Sequence, residues 1–122
     1  MQNKPSILIV DDDVNLLELL SQILLVHDFS ADKALNGAIA FNMVQAKHYD
    51  LVISDIRMPV MTGTELLDHI RNYQKDKEKK SKVFLMTAYT SAEILESAET
   101  LGADGFFDKP FDINCFLEKI RE

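Results

Sequence analysis

The sequence predicts a doubly wound α/β domain, a parallel sheet wrapped by helices on both faces. Three observations carry that expectation. Apolar runs and segments of helical periodicity alternate five times along the chain, and the connections between them are short. The runs Ile7-Leu8-Ile9-Val10 and Leu51-Val52-Ile53 are continuously apolar and rich in β-branched residues, as strands buried on both faces are. Parallel strands also require a crossover between them, which a helix supplies.

Taken in order, Ser6-Ile7-Leu8-Ile9-Val10 is the first such run, and it ends in Asp11-Asp12-Asp13. Leu16, Leu17, Leu20, Ile23 and Leu24 then recur at helical spacing, with Asp13 placed to cap the helix. A short strand is expected over residues 30–34, Asn36-Gly37 is a turn signal, and Ala40, Phe41 and Val44 mark a second helix. Leu51-Val52-Ile53 is a buried strand with Asp55 at its exit. Met58-Pro59 and Gly63 break the chain before a third helix carrying Leu66, Leu67 and Ile70. Residues 74–82 are lysine-rich and contain no apolar side chain, which predicts a solvated loop. Val83-Phe84-Leu85-Met86 is a strand ending at Thr87, and a helix with Ile94, Leu95, Ala98 and Leu101 closes at Gly102. Gly105-Phe106-Phe107 is a last short strand with Lys109-Pro110 at its exit. Ile113, Phe116, Leu117 and Ile120 stripe the final helix.

Composition narrows the function classes. A chain of 122 residues fits one ordinary domain, and 47% hydrophobic with 27% charged residues is a globular balance. One cysteine, Cys115, excludes an internal disulfide framework and suits a reducing compartment. The formal charge of −7 opposes nucleic-acid binding, which basic charge drives. No apolar run approaches the ~18 residues of a membrane span, and Met1-Gln2-Asn3-Lys4-Pro5 does not lead into a signal-peptide core. The expectation is a soluble, acidic domain of the cytoplasm.

Ligand sites in open α/β sheets lie at the carboxyl ends of the strands. Asp11, Asp12, Asp55, Thr87 and Lys109 all fall there, from four strands. Crowded carboxylates are relieved by a proton or a cation, and an all-oxygen set without His or Cys points to a hard ion such as Mg²⁺. Were the first and third strands neighbours, their ends would lie ~4.8 Å apart, and Asp12 and Asp55 could share that ion. Mg²⁺ usually works with one or two carboxylates plus a phosphate oxygen. Lys109 offers a point charge suited to phosphate, and Thr87 offers a hydroxyl donor. A carboxylate can itself receive a phosphoryl group. The residues therefore suggest an aspartate phosphorylated with Mg²⁺ present and read out by Thr87 and Lys109.

The same residues resemble the receiver domain of two-component response regulators, over essentially the whole chain. Val10-Asp11-Asp12-Asp13 resembles that family's acidic pair, and Ser54-Asp55-Ile56-Arg57-Met58-Pro59 with Gly63 resembles its phosphoacceptor motif. Met86-Thr87-Ala88 and Lys109-Pro110 resemble its hydroxyl and lysine motifs. The resemblance implies a flavodoxin-like α/β/α fold of strand order 2-1-3-4-5, with residues 1–122 forming one receiver domain. It implies that Asp55 accepts a phosphoryl group from the phosphohistidine of a histidine kinase. Asp12 would bind Mg²⁺ directly, Asp11 mainly through water, and the Arg57 backbone carbonyl would complete the protein ligands. Phe106 would be the aromatic switch that moves with Thr87, and the peptide bond before Pro110 would be cis. The responding face would comprise residues 91–101, Phe106-Phe107 and the last helix, and would meet a second copy or an output partner. The helix from Val14 would dock the kinase. Where the family often has glycine before the aromatic that leads into the second strand, this chain has Asp28 before Phe29. Arg57 and Tyr89 occupy positions that influence phosphoryl lifetime in relatives.

Rival readings remain open at this point. Asp11-Asp12-Asp13 also fits a D-x-D phosphatase of the haloacid dehalogenase type, with Asp11 as nucleophile and Asp13 as acid/base, although the chain leaves no room for a cap domain. A receiver-like adaptor that is never phosphorylated is the non-catalytic alternative. A calcium loop fails, because Leu16 and Gln22 stand where Gly and Glu are required. A flavin phosphate would be repelled by three aspartates. His27, His48 and His69 sit at no predicted strand exit. The end at Arg121-Glu122 suits a stand-alone regulator or the first domain of a longer protein. The motif around Asp55 resembles nitrogen-regulator receivers.

Overall fold

The apolar run after Ser6 forms β1 (Ile7–Val10), buried along its whole length. In the computed structural model, which describes residues 4–87, 92–108 and 112–121, β1 pairs with β2 (Ala31–Ala34) on one side and β3 (Leu51–Asp55) on the other. β4 (Lys82–Thr87) and β5 (Gly105–Asp108) follow, every pairing is parallel, and the order is β2-β1-β3-β4-β5. This is the doubly wound sheet that the alternation predicted, in the order that the resemblance implied. The helices between the strands are α1 (Val14–Val26), α2 (Gly37–Ala46), α3 (Gly63–Tyr73), α4 (Ala92–Thr100) and α5 (Ile113–Arg121). Among the described residues, no helix is long and apolar enough to cross a membrane.

The continuous apolar strands feed two cores, because successive side chains point to opposite faces. Leu8, Val10, Val52, Val83 and Leu85 pack against Ala40 and Val44 of α2, Leu66, Leu67 and Ile70 of α3, and Ala98 of α4. Ile7, Ile9, Ile53, Phe84, Met86 and Phe107 pack against Leu17, Leu20 and Leu24 of α1, and Phe116 and Leu117 of α5. The predicted stripe residues Ile94 and Leu95 fall within α4, and Ile120 within α5.

Capping fixes where the helices begin. The Asp13 carboxylate accepts the N–H groups of Asn15 and Leu16 at 3.0 and 3.2 Å. Asn36 accepts the N–H of Ile39 at 2.9 Å, so the Asn-Gly pair serves as a helix start as well as a turn. At α3, Thr62 and Glu65 form a capping box, each side chain bonded to the other's backbone N–H. The bond from the Thr62 backbone holds the Glu65 carboxyl below the usual carboxylate range.

The lysine-rich segment corrects the sequence expectation in part. Residues 75–80 are exposed, but Gln74 and Ser81 are buried, and Lys82 already belongs to β4. Gln74 donates to Ser81 Oγ and accepts from the Ser81 N–H, both at 2.9 Å, while Ser81 Oγ donates to the Tyr49 carbonyl. Two polar residues meet inside the protein because each satisfies the other.

α1 ends in a Schellman arrangement, with Phe29 N–H bonded to Leu24 O at 2.8 Å and Asp28 N–H to Leu25 O at 3.0 Å. The residue at the turn is Asp28, whose φ is 68°. This is where the family often has glycine, and the geometry shows why: an L-residue is strained in the left-handed region. Replacing Asp28 with glycine is expected to stabilise the fold by about 0.5–1 kcal/mol, a rise in Tm of a few degrees on thermal melting. An unchanged or lower Tm would contradict the strain.

A latch holds the edge strand β2. Tyr49 Oη donates to Asp32 at 2.6 Å, with Lys47 Nζ 3.4 Å from the same carboxylate oxygen. Burial and the Asp32 acceptor push the Tyr49 phenol from 10.0 to about 12. A group whose neutral form is favoured in the fold contributes stability below its unfolded pKa and loses it as pH rises through the folded one. Tyr49→Phe is therefore expected to cost about 1 kcal/mol at neutral pH. The difference from wild type should shrink between pH 10.0 and about 12, as followed by urea unfolding across that range.

Candidate functional site

Strand register brings the polar exits together. Val10 of β1 is the partner of Ser54 in β3, so Asp11 and Asp55, one step further on each strand, leave the sheet side by side. Asp55 is the partner of Met86 in β4, which places Thr87 one step beyond. Thr87 in turn is opposite Asp108 of β5, the residue before Lys109. Lys109 and Pro110 lie outside the described residues, as do Ala88 and Tyr89. The sequence distance from Asp11 to Asp108 thus collapses to one edge of one sheet.

The carboxylates of Asp11, Asp12 and Asp55 converge, with one oxygen from each lying within 4.8 Å of the others. Asp11 and Asp55 are 1% and 9% exposed, whereas Asp12 faces solvent. Asp11 Oδ1 accepts the Asp13 N–H at 2.9 Å, which fixes the turn after β1. The Asp55 carbonyl is held from two sides. Ser54 Oγ donates to it at 2.9 Å, and Gly63 packs so closely that a Cβ there would stand 2.3 Å away. Among the described residues this candidate donor set is three carboxylate oxygens with no nitrogen or sulfur, which suits a small hard cation and fits Mg²⁺.

Thr87, 4% exposed, ends β4 on the same edge. Arg57 is exposed in the loop after β3. Phe106 is half-buried against the core of α2, α3 and α4, while its neighbour Phe107 is fully packed on the opposite side. Asp13 belongs elsewhere: its carboxylate is engaged in capping α1, which removes the acid/base that the phosphatase reading needs. The histidines are also remote from the edge. His27 caps the C-terminus of α1, His48 lies 3.5 Å from Asp50, and His69 packs edge-on to Phe41.

Two features near this edge escaped the sequence reading. The Thr62–Glu65 capping box was visible as T-x-x-E before an apolar run. The left-handed φ of 74° at Val60 was not, because a β-branched residue gives no signal for it.

Compared with known families, residues 7–121 match the response regulator receiver domain. The chain belongs to that family. This receiver domain is 38% identical over 108 residues to the regulatory protein AtoC of Escherichia coli, covering 88% of the chain but only 23% of AtoC. It is 32% identical to the sporulation initiation phosphotransferase F of Bacillus subtilis, covering 95% of the chain and 90% of that protein. Among solved structures it resembles the chemotaxis protein CheY4 of Vibrio cholerae, with a TM-score of 0.88, 28% identity and 98% coverage of both chains.

Carboxylate crowding has a measurable consequence. Asp12→Asn is expected to raise the metal-free stability of the receiver domain by about 1 kcal/mol, because one repulsive partner is removed at a solvent-screened position. Wild type should gain about 2.7 kcal/mol when Mg²⁺ reaches roughly 100 times its Kd. The variant should gain far less. Thermal melts with and without Mg²⁺ decide this, and equal gains in both proteins would exclude Asp12 from the cation site.

Proposed function

We propose that this receiver domain is a phosphorylation switch whose acceptor is Asp55 and whose donor is the phosphohistidine of a histidine kinase. The observation that carries the proposal is the convergence of Asp11, Asp12 and Asp55 at the carboxyl edge of the sheet. An Asp55 oxygen attacks phosphorus, the phosphorus–nitrogen bond breaks, and its electron pair returns to the imidazole. Asp11, Asp12, Asp55 and the Arg57 carbonyl would hold Mg²⁺, which supplies charge neutralisation for the incoming phosphoryl oxygens. Thr87 donates its hydroxyl to one of those oxygens, and Lys109 offers its ammonium to another. Water later cleaves the acyl phosphate and restores the carboxylate. The only reactions this domain catalyses are its own phosphorylation and dephosphorylation.

Signalling follows from the added charge. A phosphoryl group brings about −1.5 to −2 at neutral pH to an edge that is already acidic. Contacts to Thr87 favour a conformation in which Thr87 moves toward the group and half-buried Phe106 follows it inward, a population shift between two packings. The face of α4, β5 and α5 changes accordingly and meets a second copy or an output partner. We read the chain as one receiver unit of the cytoplasm, where the exposed Cys115 thiol stays reduced. Neither nucleic acid nor membrane is a direct partner of so acidic a surface.

Incubation with Mg²⁺ and acetyl phosphate or phosphoramidate, followed by intact mass measurement, tests the proposal. One phosphoryl adduct is expected on wild type, dependent on Mg²⁺ and reduced to background in Asp55→Ala. An adduct that survives in Asp55→Ala but disappears in Asp11→Ala would instead establish the phosphatase-like reading. Failure to acquire an adduct, together with failure to bind fluoroberyllate, would leave a non-phosphorylated adaptor.

A further inference from the structure

The loop that leaves β3 contains a backbone conformation that the acceptor chemistry does not itself require. Ile56 donates its N–H to Met86 O at 3.1 Å, and Gly63 returns its N–H to Ile56 O at 2.8 Å, so residues 56–63 form a closed loop. Both of its ends are fixed. Ile56 is buried, and Gly63 lies directly against the Asp55 carbonyl. Its outer side rests on α2, where a Cβ on Gly37 would stand 2.8 Å from Met61 Cβ. Inside this frame the chain reverses at Val60, with φ of 74° and the Met61 N–H bonded to Pro59 O at 2.8 Å. That is a γ-turn of the strained hand.

Valine is a costly residue for such a turn, because its branched Cβ crowds its own backbone when φ is positive. Packing does not explain its presence, since Val60 is 79% exposed. Glycine would make the same turn without strain, but with much greater backbone freedom. What valine brings over glycine is the narrower backbone freedom of any residue with a Cβ, and Pro59 immediately before it has a fixed φ of its own. The carbonyl of Arg57 lies in the same loop, on the short arm between the buried Ile56 and this rigid reversal.

We infer that Val60 is a positioning residue: its strained γ-turn holds the loop of residues 56–63 in one conformation and so pre-places the Arg57 carbonyl for the cation. The inference rests on the metal-assisted acceptor reading above. Strain and freedom oppose each other here. Valine lowers the stability of the fold and reduces what the loop must lose on binding its ligand.

The two effects separate in a pair of variants, Val60→Gly and Val60→Ala, compared with wild type by metal-free thermal melting. Mg²⁺ titration followed through the backbone amide resonances of the loop supplies the second readout. Val60→Gly is expected to melt roughly 4 °C higher. It should nevertheless bind Mg²⁺ roughly three- to fivefold more weakly, the equivalent of a glycine's extra freedom. Val60→Ala keeps the Cβ and should stay within about twofold of wild-type affinity. Unchanged affinity in Val60→Gly would make the turn merely structural and overturn the inference. Equal weakening in both variants would assign the effect to the lost isopropyl group, and would overturn it as well. A wild-type protein with no saturable Mg²⁺ response would refute the acceptor reading itself, a result distinct from either.

Discussion

Carboxylates at the ends of two strands that cannot move apart set the terms for the rest of this molecule. Asp11, Asp12 and Asp55, with oxygens within 4.8 Å of one another, repel one another when ionised, and solvent weakens what exposed Asp12 adds. Relief by sliding β1 against β3 is closed off. A one-residue slip would exchange the two faces of β1, whose four residues are all buried. The slip would force both closely packed cores to repack around exchanged side chains, so the register and the repulsion stay. The edge is therefore poised for positive charge before any ligand arrives, and the buried sheet supplies the force that keeps it so.

Much of this was legible because it depends on counting. A continuous apolar run names a doubly buried strand, and the residue after the run names the strand exit, so Asp11, Asp55 and Thr87 could be placed without coordinates. The Asp13 cap was equally readable, because a cap is a local feature. What could not be read were partnerships across space. Nothing in the sequence marks Gln74 and Ser81 as buried, since each is polar and only its bonds to the other make the interior acceptable. The conformation of Val60 contradicts the local preference of its residue type, and only the closed loop around it imposes the turn. Asp28 is a milder case: the sequence departs there from the family's glycine, and only the backbone shows that the position is left-handed.

Arg71 is a further partnership that the sequence hides. From α3 it donates to Gly102 O through Nε and Nη2, at 3.1 and 2.7 Å, to Ser81 O at 2.7 Å, and to Asp104 Oδ2 at 2.7 Å. The same Asp104 oxygen accepts the Val83 N–H at 2.7 Å. Gly102, with φ of 94°, leaves the space this contact needs, since a Cβ would stand 3.2 Å from Arg71 Nε. The guanidinium thus ties the turn after α4 to α3 and to the start of β4. A change of the α4 face would find its fixed point here, at the end of the helix remote from the carboxylates.

The Gln74–Ser81 clasp has a consequence for how this chain can be altered. Between the two clasped residues the segment 75–80 is wholly exposed, and its entry and exit are joined by two hydrogen bonds inside the protein. Length added within the segment enlarges a loop whose mouth is already closed, and the entropic cost of that enlargement grows only slowly. The pairing of Lys82 with Leu51 that sets the register of β4 lies beyond the clasp and does not register the change. This segment is accordingly the natural port of the domain, where an epitope, a fluorophore or a whole inserted module can be carried without disturbing the edge where the carboxylates meet.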